Sequence, residues 1–125
     1  MTTILLIQLF PEPPLGISTL EATLSNQIGS QLVALDNFSD GSNLAYVRKM
    51  IEESEFITAI IWEHEGGQTK GLQPIFNALL KKKQQVTLIT NATQGVVNKL
   101  ARSMKSEMLM SEGDLIGLLN KSAKK

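Results

Sequence analysis

The densest group of reactive side chains in this sequence is Trp62-Glu63-His64-Glu65-Gly66-Gly67, which holds its only tryptophan and its only histidine. Two carboxylates flank the imidazole, a donor set that suits a divalent ion if all three converge. Extended backbone would prevent that, because alternate residues face opposite ways and His64 would point away from Glu63 and Glu65. Glu63 could instead serve as a general acid or base if Trp62 stripped water from it and raised its proton affinity. Nucleophilic serine chemistry has only His64 as its base, and no Gly-x-Ser-x-Gly turn is present. The plain alternative is a charged, solvated turn that ends a strand.

Phosphate signals are weaker. Gly66 to Gly71 contains Lys70 but lacks the Gly-x4-Gly-Lys-Ser/Thr spacing that lines backbone amides along a phosphate chain. No Gly-x-Gly-x-x-Gly follows the first apolar run, and Pro11, Pro13 and Pro14 remove amide donors there. Asn91 and Thr93 suit either an anion at a helix start or an ordinary cap.

The elements that must position these residues follow from apolar spacing. Thr3 to Leu9, Gln31 to Asn37, Phe56 to Trp62, Val86 to Thr90 and Met108 to Met110 read as five strands. Between them lie amphipathic stretches. Ser18-Thr-Leu-Glu21 has capping-box spacing and opens a helix carrying Leu20, Leu24 and Ile28, with Gly29 as its stop. Ser42 or Asn43 is expected to cap the second helix, and Thr93 the fourth. Pro74 must lie in the first turn of the third, since deeper placement would cost about 3 kcal/mol. Ser111 to Asp114 opens the last.

Apolar strands alternating with amphipathic helices imply a three-layer α/β/α sandwich. Right-handed crossovers and five strands predict a parallel sheet of order 2-1-3-4-5, the flavodoxin-like (βα)5 arrangement, in one domain over residues 1–125. Ligands of such sheets bind beyond the carboxyl ends of the strands, beside the reversal of strand order. That rule gathers the candidate ligand-binding residues Gln8 and Glu12 after strand one, Trp62, Glu63, His64 and Glu65 after strand three, and Asn91 and Thr93 after strand four. No catalytic residue, metal or cofactor is assigned.

Composition narrows the function classes. The absence of cysteine excludes disulfides, thiolate metal sites and a cysteine nucleophile. A formal net charge of zero argues against a general nucleic-acid or membrane binder. No apolar run approaches the roughly 20 residues that span a bilayer, and no secretory signal opens the chain, so a cytoplasmic location is expected. The zero net charge conceals an asymmetry. Residues 1–60 hold seven acids against Arg48 and Lys49, while the remainder holds ten basic residues against five acids. The basic half suits an acidic partner or the acidic half of a second copy. More simply, Lys81-Lys82-Lys83 would suit a helix end and Lys121 to Lys125 a solvated tail.

The order and spacing of segments resemble the receiver domain of bacterial response regulators over nearly the whole chain. The resemblance lies in Leu32 to Ile61, in Leu72 to Leu80 leading into Val86-Thr-Leu-Ile-Thr90, and in Asp114-Leu-Ile-Gly-Leu-Leu119. It implies a signalling domain of that fold, but the residues of receiver phosphochemistry are replaced. Gln8 and Leu9 stand where the family has an acidic pair, and Trp62 and Glu63 where it has a phosphoaccepting aspartate. Thr90 matches its hydroxyl residue, and no lysine lies near Met110 and Ser111. The resemblance therefore implies a degenerate receiver, not phosphorylated on aspartate, that works by binding a protein partner or a second copy. Such domains pair near their last helices and strands, here including Lys99, Arg102 and Lys105. The alternative is a small-molecule ligand-binding protein or enzyme with its site at the carboxyl ends of strands 1, 3 and 4.

Overall fold

A computed structural model of the chain describes residues 2–28, 32–69 and 71–123. Five strands, β1 (Thr2–Leu9), β2 (Leu32–Asp36), β3 (Phe56–Glu63), β4 (Val86–Thr90) and β5 (Lys105–Met108), alternate with five helices. These are α1 (Thr19–Ile28), α2 (Gly41–Glu53), α3 (Gln73–Lys81), α4 (Gly95–Arg102) and α5 (Glu112–Ala123). All strand pairs are parallel and their order is 2-1-3-4-5, the order expected for five alternating strand–helix units.

The pleat divides the core. Leu5, Ile7 and Leu9 of β1 turn toward α2, α3 and α4, where they meet Val47, Ile51, Ile75, Phe76, Leu79, Val97 and Leu100. Leu6 turns the other way, with Ile60, Trp62 and Ile89, onto Leu20 and Leu24 of α1 and Leu115 and Leu119 of α5. Central strands covered on both faces take apolar residues at most positions, which explains why β1 and β3 read as nearly unbroken runs, and the buried polar Thr3 and Gln8 of β1 are hydrogen-bonded.

Helix starts follow local chemistry, with two departures from expectation. Ser18 Oγ accepts from the Glu21 amide at 3.1 Å, the cap its spacing predicts, and Ser111 Oγ does the same for Asp114. Helix α2 is capped by Asp40, whose carboxylate accepts from the Asn43 amide at 2.9 Å, rather than by Ser42 or Asn43. The aspartate precedes the glycine of the turn and stays extended, the backbone state a cap requires. Helix α4 is preceded by Gln94 without any side-chain cap, so Thr93 does not fill that role. Pro74 lies in the first turn of α3.

The fifth strand is Lys105–Met108, not Met108 to Met110. Its register pairs Thr87 with Lys105 and Thr90 with Met108. It is a short edge strand with exposed side chains, so charged residues are tolerated and the apolar cue misplaces it. Gln31 and Gly29 lie outside the described residues. Helix α5 continues to Ala123, so Lys121 belongs to a helix rather than to a tail. Among the described residues, no helix is long and apolar enough to cross a membrane.

Lys82 has a role that its neighbours' charge conceals. It follows α3, yet its ammonium donates to the carbonyls of Ile51, Glu52 and Ser54 at the end of α2. Those groups have no intrahelical donors, and a cation there also suits the helix dipole.

Candidate functional site

The eight candidate residues lie at the carboxyl end of the sheet, but four of them, Gln8, Trp62, His64 and Asn91, are engaged with the protein itself. Gln8 ends the buried stretch of β1 on the α1 side and is 2% exposed. Its carbonyl oxygen accepts from Ser18 Oγ at 3.0 Å and from His64 Nε2 at 2.9 Å. An amide oxygen only accepts, so the imidazole carries its proton on Nε2 in this bond. The His64 ring also stacks on Phe10, with centroids 4.6 Å apart and planes 7° from parallel. Gln8 thus ties the start of α1 to the loop after β3.

Asn91 is spent on backbone. Its Oδ1 accepts from the Glu63 amide at 2.7 Å, and its Nδ2 donates to the Glu63 carbonyl at 2.8 Å. The side-chain amide takes the place of a further rung between β4 and β3. Asn37, directly after β2, does the same to Phe10, directly after β1, with both bonds at 2.8 Å. Between them, the His64 amide donates to the Leu9 carbonyl at 3.0 Å. Side chains or loop backbone therefore extend three strand pairs past their ladders, from β2 to β4. Asn37 was not among the residues singled out from sequence. The shared signal is an asparagine directly after a strand, in Asp36-Asn37 and Thr90-Asn91.

Gly67 completes this closure. A Cβ there would lie 2.2 Å from the Leu9 carbonyl oxygen, so only glycine lets the loop fold back onto the β1 end. Gly66 precedes it at φ +78°, in the left-handed region that favours glycine. The glycine pair thus forms a tight return rather than a flexible cradle.

The remaining candidates separate. Trp62 is 4% exposed and packs among Leu6, Leu20, Leu24 and Leu115. It is a core residue on the α1 and α5 side. Glu63, the next residue on the pleat, is exposed, so the tryptophan does not strip it of water. Glu65, Glu12 and Thr93 are also exposed. Among the described residues, no three of His, Asp and Glu gather as ligands for an ion. Thr90 is fully buried, and its hydroxyl accepts from the Ala92 amide at 3.0 Å.

Compared with protein-family models, curated proteins and solved structures, the chain matches none. Its function must therefore be argued from this geometry alone.

One carboxyl group near this end is electrostatically perturbed. Partial burial, and secondarily the neighbouring Asp36 carboxylate, raise the Glu21 pKa above the usual glutamate value. Glu21 stands in the first turn of α1, beside the Ser18 cap.

Proposed function

We propose that this chain is a non-catalytic signalling or protein-interaction module of receiver-like fold that is not phosphorylated on aspartate. One observation carries it: the amide, imidazole and hydroxyl groups at the carboxyl end of the sheet are spent in holding that end together, while its carboxylates are exposed and form no cluster with His64 among the described residues. Asn91 and Asn37 clamp backbone, Gln8 joins Ser18 to His64, and the Thr90 hydroxyl turns onto its own loop. Phosphoryl transfer to a carboxylate calls for clustered acids to hold a metal and a cation to meet the product. Here Gln8 and Leu9 end β1 as buried residues, Glu12 is exposed beyond them, and Ser111 after β5 is a helix cap.

The test is to incubate the protein with magnesium and acetyl phosphate and weigh it intact. The expected mass is unchanged. An added phosphoryl group that hydroxylamine removes would reveal an acyl phosphate and overturn the proposal.

The small-ligand alternative is favoured by one feature, the half-buried His64 ring on Phe10 with exposed Glu63 and Glu65 on either side. It predicts that ligand binding depends on Glu63.

A further inference from the structure

Charge along this sequence is segregated more sharply than a comparison of halves reveals. No lysine or arginine precedes Arg48, while that stretch holds Glu12, Glu21, Asp36 and Asp40. Between Glu65 and Glu107 no acid occurs, while Lys70, Lys81, Lys82, Lys83, Lys99, Arg102 and Lys105 do. Strand order converts this into a polarity across the sheet. The acidic stretch builds the edge strand β2 and its neighbour β1, and the basic stretch builds β4, α4 and the start of the other edge strand, β5.

Exposed apolar side chains fall on both sides of the sheet, besides Tyr46 on α2 and Phe56 at the start of β3. Leu15 is fully exposed and Ile17 73% exposed on the loop after β1, with Phe38 exposed on the loop after β2. The Asn37 clamp holds those two loops together at their roots, and Pro11, Pro13 and Pro14 stiffen the first. Glu12 and Asp40 are exposed on the same loops. At the opposite edge a groove of about 180 Å³ runs between α3 and α4, with Phe76 and Leu100 buried in it and Leu80 and Val96 exposed at its lip. Lys99 lines the groove, and Arg102 and Lys105 are exposed nearby in sequence, with Glu107 the opposing acid on β5.

We infer that copies of this chain associate head to tail, the Leu15–Ile17 loop of one seating in the α3–α4 groove of the next. A stiff apolar projection that carries Glu12, with Asp40 on the adjoining loop, complements an apolar groove lined by Lys99, with Arg102 on the same helix, and the two lie on different parts of one molecule. Such a contact is heterologous. Each copy keeps a free loop at one end and a free groove at the other, so growth has no built-in stop. The inference rests on the interaction-module proposal and names its partner as a second copy. Charge supplies the orientation, since loop against loop or groove against groove would oppose like charges.

Sedimentation velocity of the full chain at rising concentration tests this, at about 20 mM and about 500 mM salt, on either side of the ~10 Å screening length at 0.1 M. The expected result is growth beyond dimer at low salt that recedes at high salt. Leu15→Asp and Val96→Asp, both at exposed positions, should each weaken self-association by roughly tenfold or more. Circular dichroism melts would show that both variants remain folded. Mixed one to one, the two variants should form a dimer and nothing larger, because one retains a groove and the other a loop. A wild-type chain that stays monomeric at every concentration overturns the inference. So does a closed dimer that Leu15→Asp leaves intact, although that dimer would uphold an interaction module. An acyl phosphate in the separate mass experiment would instead remove the interaction-module proposal itself.

Discussion

At the scale of single residues, chemical appearance and structural duty part company. Asn91 looks like a ligand-binding amide at a strand end, yet both of its polar atoms pair with Glu63 backbone. Replacing it by alanine should leave that donor and acceptor unmatched and cost about 1–2 kcal/mol in urea denaturation. Asn37→Ala should cost a similar amount through Phe10. Unchanged stability in both variants would contradict the clamp. Glu21 gives a pH-dependent counterpart. Its raised pKa means that the folded state binds the proton more tightly than the unfolded state does. Its contribution to stability is therefore fullest at low pH and is lost as pH rises from the ordinary glutamate value through the raised one. Glu21→Gln lacks this titration, so wild type should lose stability relative to the variant as pH is raised across that window. Paired denaturation curves at pH 4 and pH 7 would measure it, and a gap that does not change would contradict the shift. Solvent screening at this partly exposed group keeps the expected effect small.

At the scale of elements, the sequence reveals whatever is decided locally or by full burial. The runs of β1, β3 and β4 needed no tertiary information, because strands covered on both faces leave few polar positions. The Ser18 and Ser111 caps were legible from short-range spacing. The edge strand β5 was displaced, because an exposed strand carries no burial pattern to mark its ends. Long-range roles were likewise hidden. Nothing near Lys82 in the sequence says that its ammonium will cap a helix some 30 positions earlier. Lys82→Met, which keeps the apolar stem, should destabilise the protein by about 1–3 kcal/mol and speed amide exchange in the last turn of α2. Exchange that quickens only in α3 would show that the cap lies elsewhere.

At the scale of the whole molecule, topology decides which residues share an end of the sheet and which share an edge. The order 2-1-3-4-5 was legible because crossover handedness leaves few other arrangements for five alternating units. The same order brought Gln8, His64 and Asn91 to one end, as expected for a binding crevice, but not the use to which that end is put. Reciprocal amide clamps join residues 27 and 28 positions apart, which local spacing cannot foretell. What remains outward-facing includes a charge gradient across the sheet and exposed apolar residues on both sides of it, the surface that the proposal assigns to contact between copies. Under the proposed function the carboxyl end of the sheet is a structural closure rather than a site for substrate. The most direct test is a thermal-shift screen of wild type and Glu63→Gln against divalent metals, nucleotides, flavins and sugar phosphates. A ligand at 100 times its Kd would add about 2.7 kcal/mol to the folded state, enough to raise Tm by several degrees. No such rise is expected with any of them. A rise in wild type that disappears in Glu63→Gln would contradict that expectation and establish a ligand site at the end of β3.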